Sequence, residues 1–445
     1  MSRRLLIGSG GCGGKLDDTI LTIMDESTGI VNEYDSLFIN ANQTEMEKLA
    51  HYRRDRNSLL IDGQGTGKNR PRGKNLISDD SVKIYNRLEN KIANYDTVTI
   101  FLSADGGFGS SSIITLSKLI KNFKNDILIE LAVAMPSTKN GAPSLRNACE
   151  MYPELQLLMK ASKDVDKYQE YMIFDEDDYA IEIPLIDSFI FLDNNEIEKQ
   201  PIDKAVAESI EEQEALSPED LKRCLDQETI FNFKAMDLYL KSIDLHSGAV
   251  DPIDVLEAHK KTGYKVILPL EAGYEDISEA IEVAIEDSPF IIPQEFQRSD
   301  ENDLIKCKGI VGYLDRDSYT KESLNEVFDC KGFVKVEYLE DDEKIDDIGG
   351  FIVLTGLRAP TEYVKELKEK LDSLIQEEAA AEKEVDEEIF EFNSGTSIST
   401  KAPRKKRTEA IKTEPIKKAK PTESKKSSAM SALEKRKKIK NLKKF

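Results

Sequence analysis

From the N-terminus to about residue 195, short apolar runs alternate with stretches whose apolar residues recur at helical spacing. Arg4–Gly8, Ser36–Asn40, Thr97–Ser103, Ile127–Ala134 and Ser188–Leu192 read as strands buried on both faces. Leu16–Met24, Thr44–His51, Ser81–Ala93 and Ile113–Phe123 carry apolar stripes of helical period. Such alternation predicts a mainly parallel sheet with helices on both faces, a Rossmann-like α/β domain over residues 1–226.

A longer helical pattern follows over Gln227–Asp244, with Ile230, Phe233, Met236, Leu240 and Ile243 on one side. It predicts a central helix over residues 227–246. A second, smaller α/β domain is expected over 247–358. Its strands are Lys265–Leu270, Lys308–Tyr313, Gly332–Tyr338 and Gly350–Thr355, and its helices Ile277–Glu286 and Lys321–Phe328. From Ala359 to about Glu388, Val364, Leu367, Leu371 and Leu374 stripe one long charged helix, bounded as 359–390. Beyond it Ser, Thr, Pro and Lys dominate, so residues 391–445 are expected to be disordered. From Ser427, Met430, Leu433, Ile439 and Leu442 align well enough for a basic helix to form on a partner.

The charge changes this picture at its end. Residues 401–445 hold 18 Lys/Arg against four Glu, a net of +14, whereas the preceding 400 residues carry a net of −36. An acidic body with a basic tail is the expectation, the tail attracting a polyanion or the acidic body of a neighbouring copy. It lacks interleaved aromatic residues, which argues against base stacking. The chain of 445 residues has no apolar run near the roughly 20 residues that span a bilayer, so no membrane partner is expected. Met1–Ile7 meet glycine too early for a secretory signal, and the five cysteines are scattered and odd in number. Both point to reduced thiols in a cytoplasm. Three histidines make a zinc site or a His-based triad improbable, and no metal-ligand set is assigned.

The candidate chemistry lies in glycine. Gly8-Ser9-Gly10-Gly11-Cys12-Gly13-Gly14 follows the apolar run Arg4–Ile7. Asp105-Gly106-Gly107-Phe108-Gly109-Ser110-Ser111-Ser112 follows Val98–Leu102. A strand that runs through glycines into a helix lets backbone N–H groups approach an anion, and the helix dipole favours phosphate there. Tight turns use glycine as well. Five glycines in seven residues favour phosphate at the first segment, while the second, taken alone, is balanced between turn and phosphate site. Neither is a Walker A loop, since no Gly-Lys-Ser/Thr closes it, and Asn40 stands where a Rossmann fingerprint ends in an acid. A third cluster, Asp62-Gly63-Gln64-Gly65-Thr66-Gly67-Lys68, precedes the basic run Arg70-Pro71-Arg72-Gly73-Lys74. It suits a mobile loop near a terminal phosphate, or a flexible surface loop. Asp251 and Asp254, three residues apart, share one face of a helical turn. Asp251-Pro252 also suits a helix cap followed by proline at the first helical position.

Taken in order, these segments resemble the tubulin/FtsZ superfamily over about residues 1–370. Gly8–Gly14 resembles its first phosphate loop, Ala104–Ser111 its signature loop, and Asp62–Lys68 falls where its γ-phosphate loop lies. Phe189–Asn195 resembles the strand and loop that carry an asparagine to the guanine. Val250–Val255 is similar to the catalytic loop Asn-x-Asp-x-x-Asp-Val. The Leu-Asp-Asn-Asn loop, the acidic body and the basic tail look most like the plasmid and phage branch (TubZ, PhuZ).

The resemblance implies GTP with Mg²⁺. The nucleotide contacts it implies are Gly10, Gly11, Cys12, Gly13, Gly65, Thr66, Gly67, Lys68, Gly106, Gly107, Phe108, Gly109, Ser110, Asn140, Asn194 and Asn232. It makes Asp251 and Asp254 the carboxylates that polarise the attacking water, acting on the nucleotide of the next subunit in a head-to-tail filament. It further implies hydrolysis that depends on assembly, positioning of plasmid or phage DNA, and a DNA-bound adaptor or DNA at the tail 401–445. Five residues depart from the family pattern, Ser111 standing for the last glycine of the signature loop among them. Asp105 and Phe108 replace a glycine and a threonine, Ala249 an asparagine, and Asn140 a glutamate. Asp105 would bring negative charge towards phosphates unless it points away or holds a cation. A nucleotide scaffold that does not hydrolyse, and a DNA-binding protein acting through its tail, are the alternatives.

Overall fold

The computed structural model describes residues 3–26, 33–199, 227–245, 250–274, 276–296, 303–339 and 348–394. Strand β1 (Arg3–Ser9) runs straight into α1 (Gly10–Glu26), and β2 (Glu33–Asn42) into the one-turn α2 (Gln43–Met46). Next come β3 (Ser58–Gly63), α3 (Arg70–Asp79), α4 (Ser81–Ile92), β4 (Thr97–Ser103), α5 (Gly109–Phe123), β5 (Leu128–Met135) and α6 (Ala142–Leu158). The short α7 (Val165–Tyr168) and the small hairpin of β6 (Ile173–Phe174) and β7 (Ala180–Ile181) precede β8 (Ser188–Asp193). The rest is α8 (Gln227–Ile243), α9 (Pro252–His259), β9 (Gly263–Glu271), α10 (Ile277–Glu286), β10 (Ile305–Leu314), α11 (Lys321–Val327), β11 (Phe328–Tyr338), β12 (Ile348–Leu357) and α12 (Thr361–Ser394).

Ten strands form one sheet in the order β11-β10-β12-β9-β8-β5-β4-β1-β2-β3. From β3 to β8 every pairing is parallel. β9 joins β8 only where Ser188 faces Gly263 and Phe189 faces Tyr264. Beyond that seam β12 runs antiparallel to both β9 and β10, and β10 pairs β11 in parallel. The expected parallel N-terminal sheet and smaller C-terminal α/β part are therefore both present, along one sheet. Contacts divide the chain into residues 1–375 and residues 376–445, the second holding, as described residues, the remainder of α12. Among the described residues no helix is long and apolar enough to cross a membrane.

α1, α8 and α9 share one core cluster on the sheet, built from Leu16, Ile20, Phe231, Met236, Tyr239, Leu240, Val255 and Ala258 against Leu6, Phe101, Ile190, Val311 and Val353. Elsewhere α3, α4 and α6 pack around α5. Strand β5 is buried along its whole length, as a covered parallel strand must be, yet carries Glu130. Its carboxylate meets Lys265 of β9 at 3.1 Å, His259 of α9 at 3.3 Å and Arg4 of β1 at 3.7 Å, and accepts from the Tyr239 hydroxyl of α8. Burial would raise this acid, but Lys265, His259 and Arg4 hold it well below the usual carboxylate range. Burial also brings Lys265 down to about 8 and His259 down to about 3.

Three expectations change. The first helix begins at Gly10, so Gly10–Gly14 are helical turns and not a loop. Thr44–His51 holds only Gln43–Met46 as helix, because the Asp18 carboxylate accepts from the Ala50 and His51 N–H groups and bends the chain away. The basic run after the third glycine cluster opens a helix: Asn69 caps α3, Pro71 sits in its first turn, and Arg70 is buried. The stripe on α8 also turns slightly. Phe231, Ala235 and Tyr239 are buried with Met236, Leu240 and Ile243, while Ile230 and Phe233 are half-buried. Ala249 and the tail 401–445 lie outside the described residues.

Candidate functional site

The chain leaves β1 towards β2 and β3, and leaves the neighbouring β4 towards β5 and β8. Strand order therefore reverses between β1 and β4, and the crevice at their carboxyl ends is where open parallel sheets bind ligands. Both glycine segments lie at that crevice. A Cβ on Gly10 would stand 3.2 Å from the Gly109 nitrogen, so the amino ends of α1 and α5 abut. Gly10 has φ +77°, a left-handed conformation that lets the strand turn directly into helix. Each helix start presents N–H groups without intrahelical partners and the positive end of a dipole. That donor set, in a cradle that side chains would fill, fits the phosphates of a nucleotide.

The third cluster closes on the second. A Cβ on Gly107 would lie 2.6 Å from both the Asn69 nitrogen and the Thr66 Oγ1. Lys68 Nζ donates to Asp105 Oδ2 at 2.9 Å and to Ser144 Oγ at 2.5 Å. Asn147 Nδ2 donates at 2.9 Å to the carbonyls of both Lys68 and Asp105. Arg70 Nε donates to Ser110 Oγ at 3.1 Å and a terminal nitrogen donates to Ser110 O at 3.0 Å, while its guanidinium pairs with Glu154. The Ser110 hydroxyl, which also donates to Gly106 O, is thus engaged within the protein. Phe108 is buried, so the site receives its backbone and not its ring. The Cys12 thiol is pushed up to about 12 by burial, with Asp105 and Glu228 adding to it, and is no nucleophile.

Several residues at the crevice give no signal in the sequence. A Cβ on Gly11 would lie 2.5 Å from Glu45 Oε2, so this carboxylate rests on the first turn of α1. Asn40 Nδ2 holds Glu45 Oε2 at 3.0 Å. Ser144 and Asn147 come from α6, which the periodicity does not mark. Asn140 is half-buried just before that helix. In the loop after β8, Asn195 is the structural member. Its Oδ1 accepts from Ser137 and Thr138, and its Nδ2 donates to Asp193 and to the Tyr363 hydroxyl of α12. Asn194, half-buried, makes no side-chain hydrogen bond among the described residues. Asn232 is half-buried one turn after Glu228, which pairs with Lys15 of α1 at 2.8 Å.

Asp251 and Asp254 are elsewhere. α8 begins beside α1 through Lys15 and Glu228, and its buried Tyr239 reaches Thr99 and Glu130 in the amino-terminal halves of β4 and β5. The helix thus runs from the carboxyl towards the amino ends of the strands, and its 17 residues span roughly 25 Å. Asp251 then caps α9, accepting from the Ile253 N–H at 2.8 Å. Asp254 lies 3.6 Å from Lys335 of β11, which also pairs with Glu337 at 2.9 Å. The protein therefore separates the carboxylate pair from the glycine crevice by the length of α8.

Known proteins share this fold. Residues 4–162 match the Tubulin/FtsZ family, GTPase domain. No curated protein matches the chain by sequence. The fold is similar to that of the Clostridium botulinum phage c-st TubZ crystal structure (TM-score 0.57, 16% identity, 84% of this chain and 98% of that chain). It is similar to the GTPγS-form protofilament of Bacillus thuringiensis serovar israelensis TubZ (0.61, 17%, 88% and 95%). It is also similar to CetZ from Methanosaeta thermophila (0.58, 18%, 89% and 97%). Residues 4–162 thus match the GTPase domain of the Tubulin/FtsZ family, and the fold that continues through the rest of the sheet is tubulin-like.

Proposed function

We propose that this protein is a GTPase that assembles head to tail and hydrolyses GTP at the junction between subunits. The observation that carries the reading is the separation just described. The glycine crevice and Asp251/Asp254 lie at opposite ends of α8, so one copy cannot bring its own carboxylates to its own phosphates. A second copy stacked along that axis can. One exposed apolar side chain, Ile253 beside the aspartates, supports a covered surface there. TubZ structures similar to this one are themselves described as protofilaments and as a two-stranded filament.

In this reading the N–H groups at the starts of α1 and α5 hold the phosphates, Lys68 faces the terminal phosphate, and Asn194 and Asn232 address base and sugar. Asp254 of the adjoining copy orients the attacking water and takes its proton, while Asp251 keeps α9 in place through its cap. Phosphoryl transfer asks for little more than such positioning and charge neutralisation. Mg²⁺ would be carried mainly by the nucleotide phosphates. The filament's role, moving or positioning plasmid or phage DNA through tail 401–445 and an adaptor, is part of the same proposal.

The test is GTP turnover with light scattering in one sample. Turnover per subunit should rise steeply with protein concentration. Asp254→Ala should still scatter light on GTP addition while releasing phosphate at about one hundredth of the rate or less. Equal turnover per subunit in dilute, unassembled protein would sink the shared-site mechanism.

A further inference from the structure

We propose that Asp105 and Lys68 act as one specificity-determining pair, in which the carboxylate competes with a terminal phosphate for the lysine and so sets the discrimination between nucleoside triphosphate and diphosphate. The inference rests on the nucleotide reading of the crevice and deepens it.

A carboxylate at the mouth of an anion cradle is a liability by itself. Here it is fully engaged. Oδ2 accepts from Lys68 Nζ at 2.9 Å and from Ser144 Oγ at 3.3 Å, and Oδ1 accepts from Ser103 Oγ. The lysine is placed for this role at some conformational cost. Lys68 has φ +60°, a left-handed backbone that a non-glycine residue adopts only when its surroundings enforce it. Asn147 enforces it by holding the Lys68 and Asp105 carbonyls with one amide. Yet half of the Lys68 side chain remains exposed, against about a quarter of Asp105. The ammonium is therefore fixed beside the α5 loop but open to an anion arriving from solvent.

The electrostatics follow. A diphosphate held by the N–H groups of α1 and α5 leaves the pair closed and locally neutral. A terminal phosphate carries more charge than a carboxylate and draws the ammonium to itself. Asp105 is then left unpaired next to the phosphates, and that repulsion offsets part of the gain. Lys68 thus favours the triphosphate while Asp105 moderates the preference, which keeps nucleotide exchange from becoming too slow.

Equilibrium binding of fluorescent GDP and GTPγS to the full-length chain, below its assembly concentration, tests this. Asp105→Asn should raise the ratio of GDP to GTPγS dissociation constants about tenfold, by freeing the lysine and removing the repulsion. Lys68→Met should lower that ratio about tenfold or more. Thermal melts show that each variant is folded, and either variant alone decides the matter. Unchanged ratios in a folded variant overturn the pair, as does a lowered ratio in Asp105→Asn, which would make Asp105 a Mg²⁺ ligand. If the wild-type chain binds neither nucleotide, the reading of the crevice itself falls, and the pair with it.

Discussion

The two glycine segments at the β1/β4 crevice both pack closely on backbone, but they differ in what else holds them. At the start of α1 the glycines exist for the backbone. A Cβ on Gly8 would stand 2.8 Å from Gly13 O, and one on Gly13 would stand 2.1 Å from Phe101 O. In the α5 loop Gly107 and Gly109 are packed as closely, a Cβ on Gly109 standing 2.8 Å from Ser9 O, but one on Gly106 meets nothing closer than Ser103 O at 3.7 Å. That loop is fixed from outside, by Lys68 on Asp105, Arg70 on Ser110 and Asn147 on two carbonyls. One side of the cradle is thus built from packing alone, and the other adds to its packing hydrogen bonds and one ion pair, Lys68–Asp105, that salt and bound anions can loosen. Five glycines in seven residues looked like surplus beyond a turn, but Gly8 and Gly13 are accounted for by close packing alone.

The sharpest way to break this contrast is to add one methyl group to each segment. Gly13→Ala forces a Cβ against the β4 backbone, which cannot move without opening the sheet. It should cost about 3 kcal/mol or more in urea unfolding of the full chain. Gly106→Ala has room and should stay within about 0.5 kcal/mol of the parent. Equal losses would mean that both segments are held by the same kind of packing.

A second contrast lies within the ties on α5. Arg70 is buried and satisfies Glu154, a mostly buried acid. Arg70→Met would leave that carboxylate with Lys74 alone and strip Ser110 of a donor. A loss of about 3 kcal/mol is expected. Lys68→Met breaks a pair that is half open to water and should cost about 1 kcal/mol or less. If the order were reversed, the third segment would be hung from Lys68 and not from the start of α3.

Much of this was legible in the pattern of apolar residues, and the limits are instructive. Thr97–Ser103 and Ile277–Glu286 are observed as the pattern predicts. The capping of α9 by Asp251 is as the Asp-Pro pair predicts. What the pattern hides is charge inside the protein. Arg70 sits in a run of basic residues that reads as surface, and Glu130 is a lone acid in an apolar strand whose partners arrive from β1, β9, α8 and α9. Asp105 appears as a defect in the loop because its lysine lies 37 residues earlier. Periodicity sees one element at a time, whereas these contacts join elements distant in sequence.

The last contrast concerns Asp17, which lies on α1 one turn past Gly13. It is fully buried, and Ser36 Oγ donates to its Oδ2 at 2.6 Å while Oδ1 makes no hydrogen bond among the described residues. Burial pushes its carboxyl from the ordinary 3.8 up to about 7. Between those values the folded chain keeps a proton that the unfolded chain has lost. Stability contributed by this group is therefore complete below about pH 4 and declines as pH rises towards 7, by at most about 1.4 kcal/mol per unit. Asp17→Asn holds the side chain neutral at every pH. Subtracting the two stability curves isolates this residue from the other titrating groups, and the difference should change by about 2 kcal/mol between pH 5 and pH 8. Curves that stay parallel would place a permanent negative charge beneath the first glycine segment. The side of the cradle built from packing alone would then no longer be the uncharged one, and its affinity for anions would rest on the α1 dipole working against Asp17.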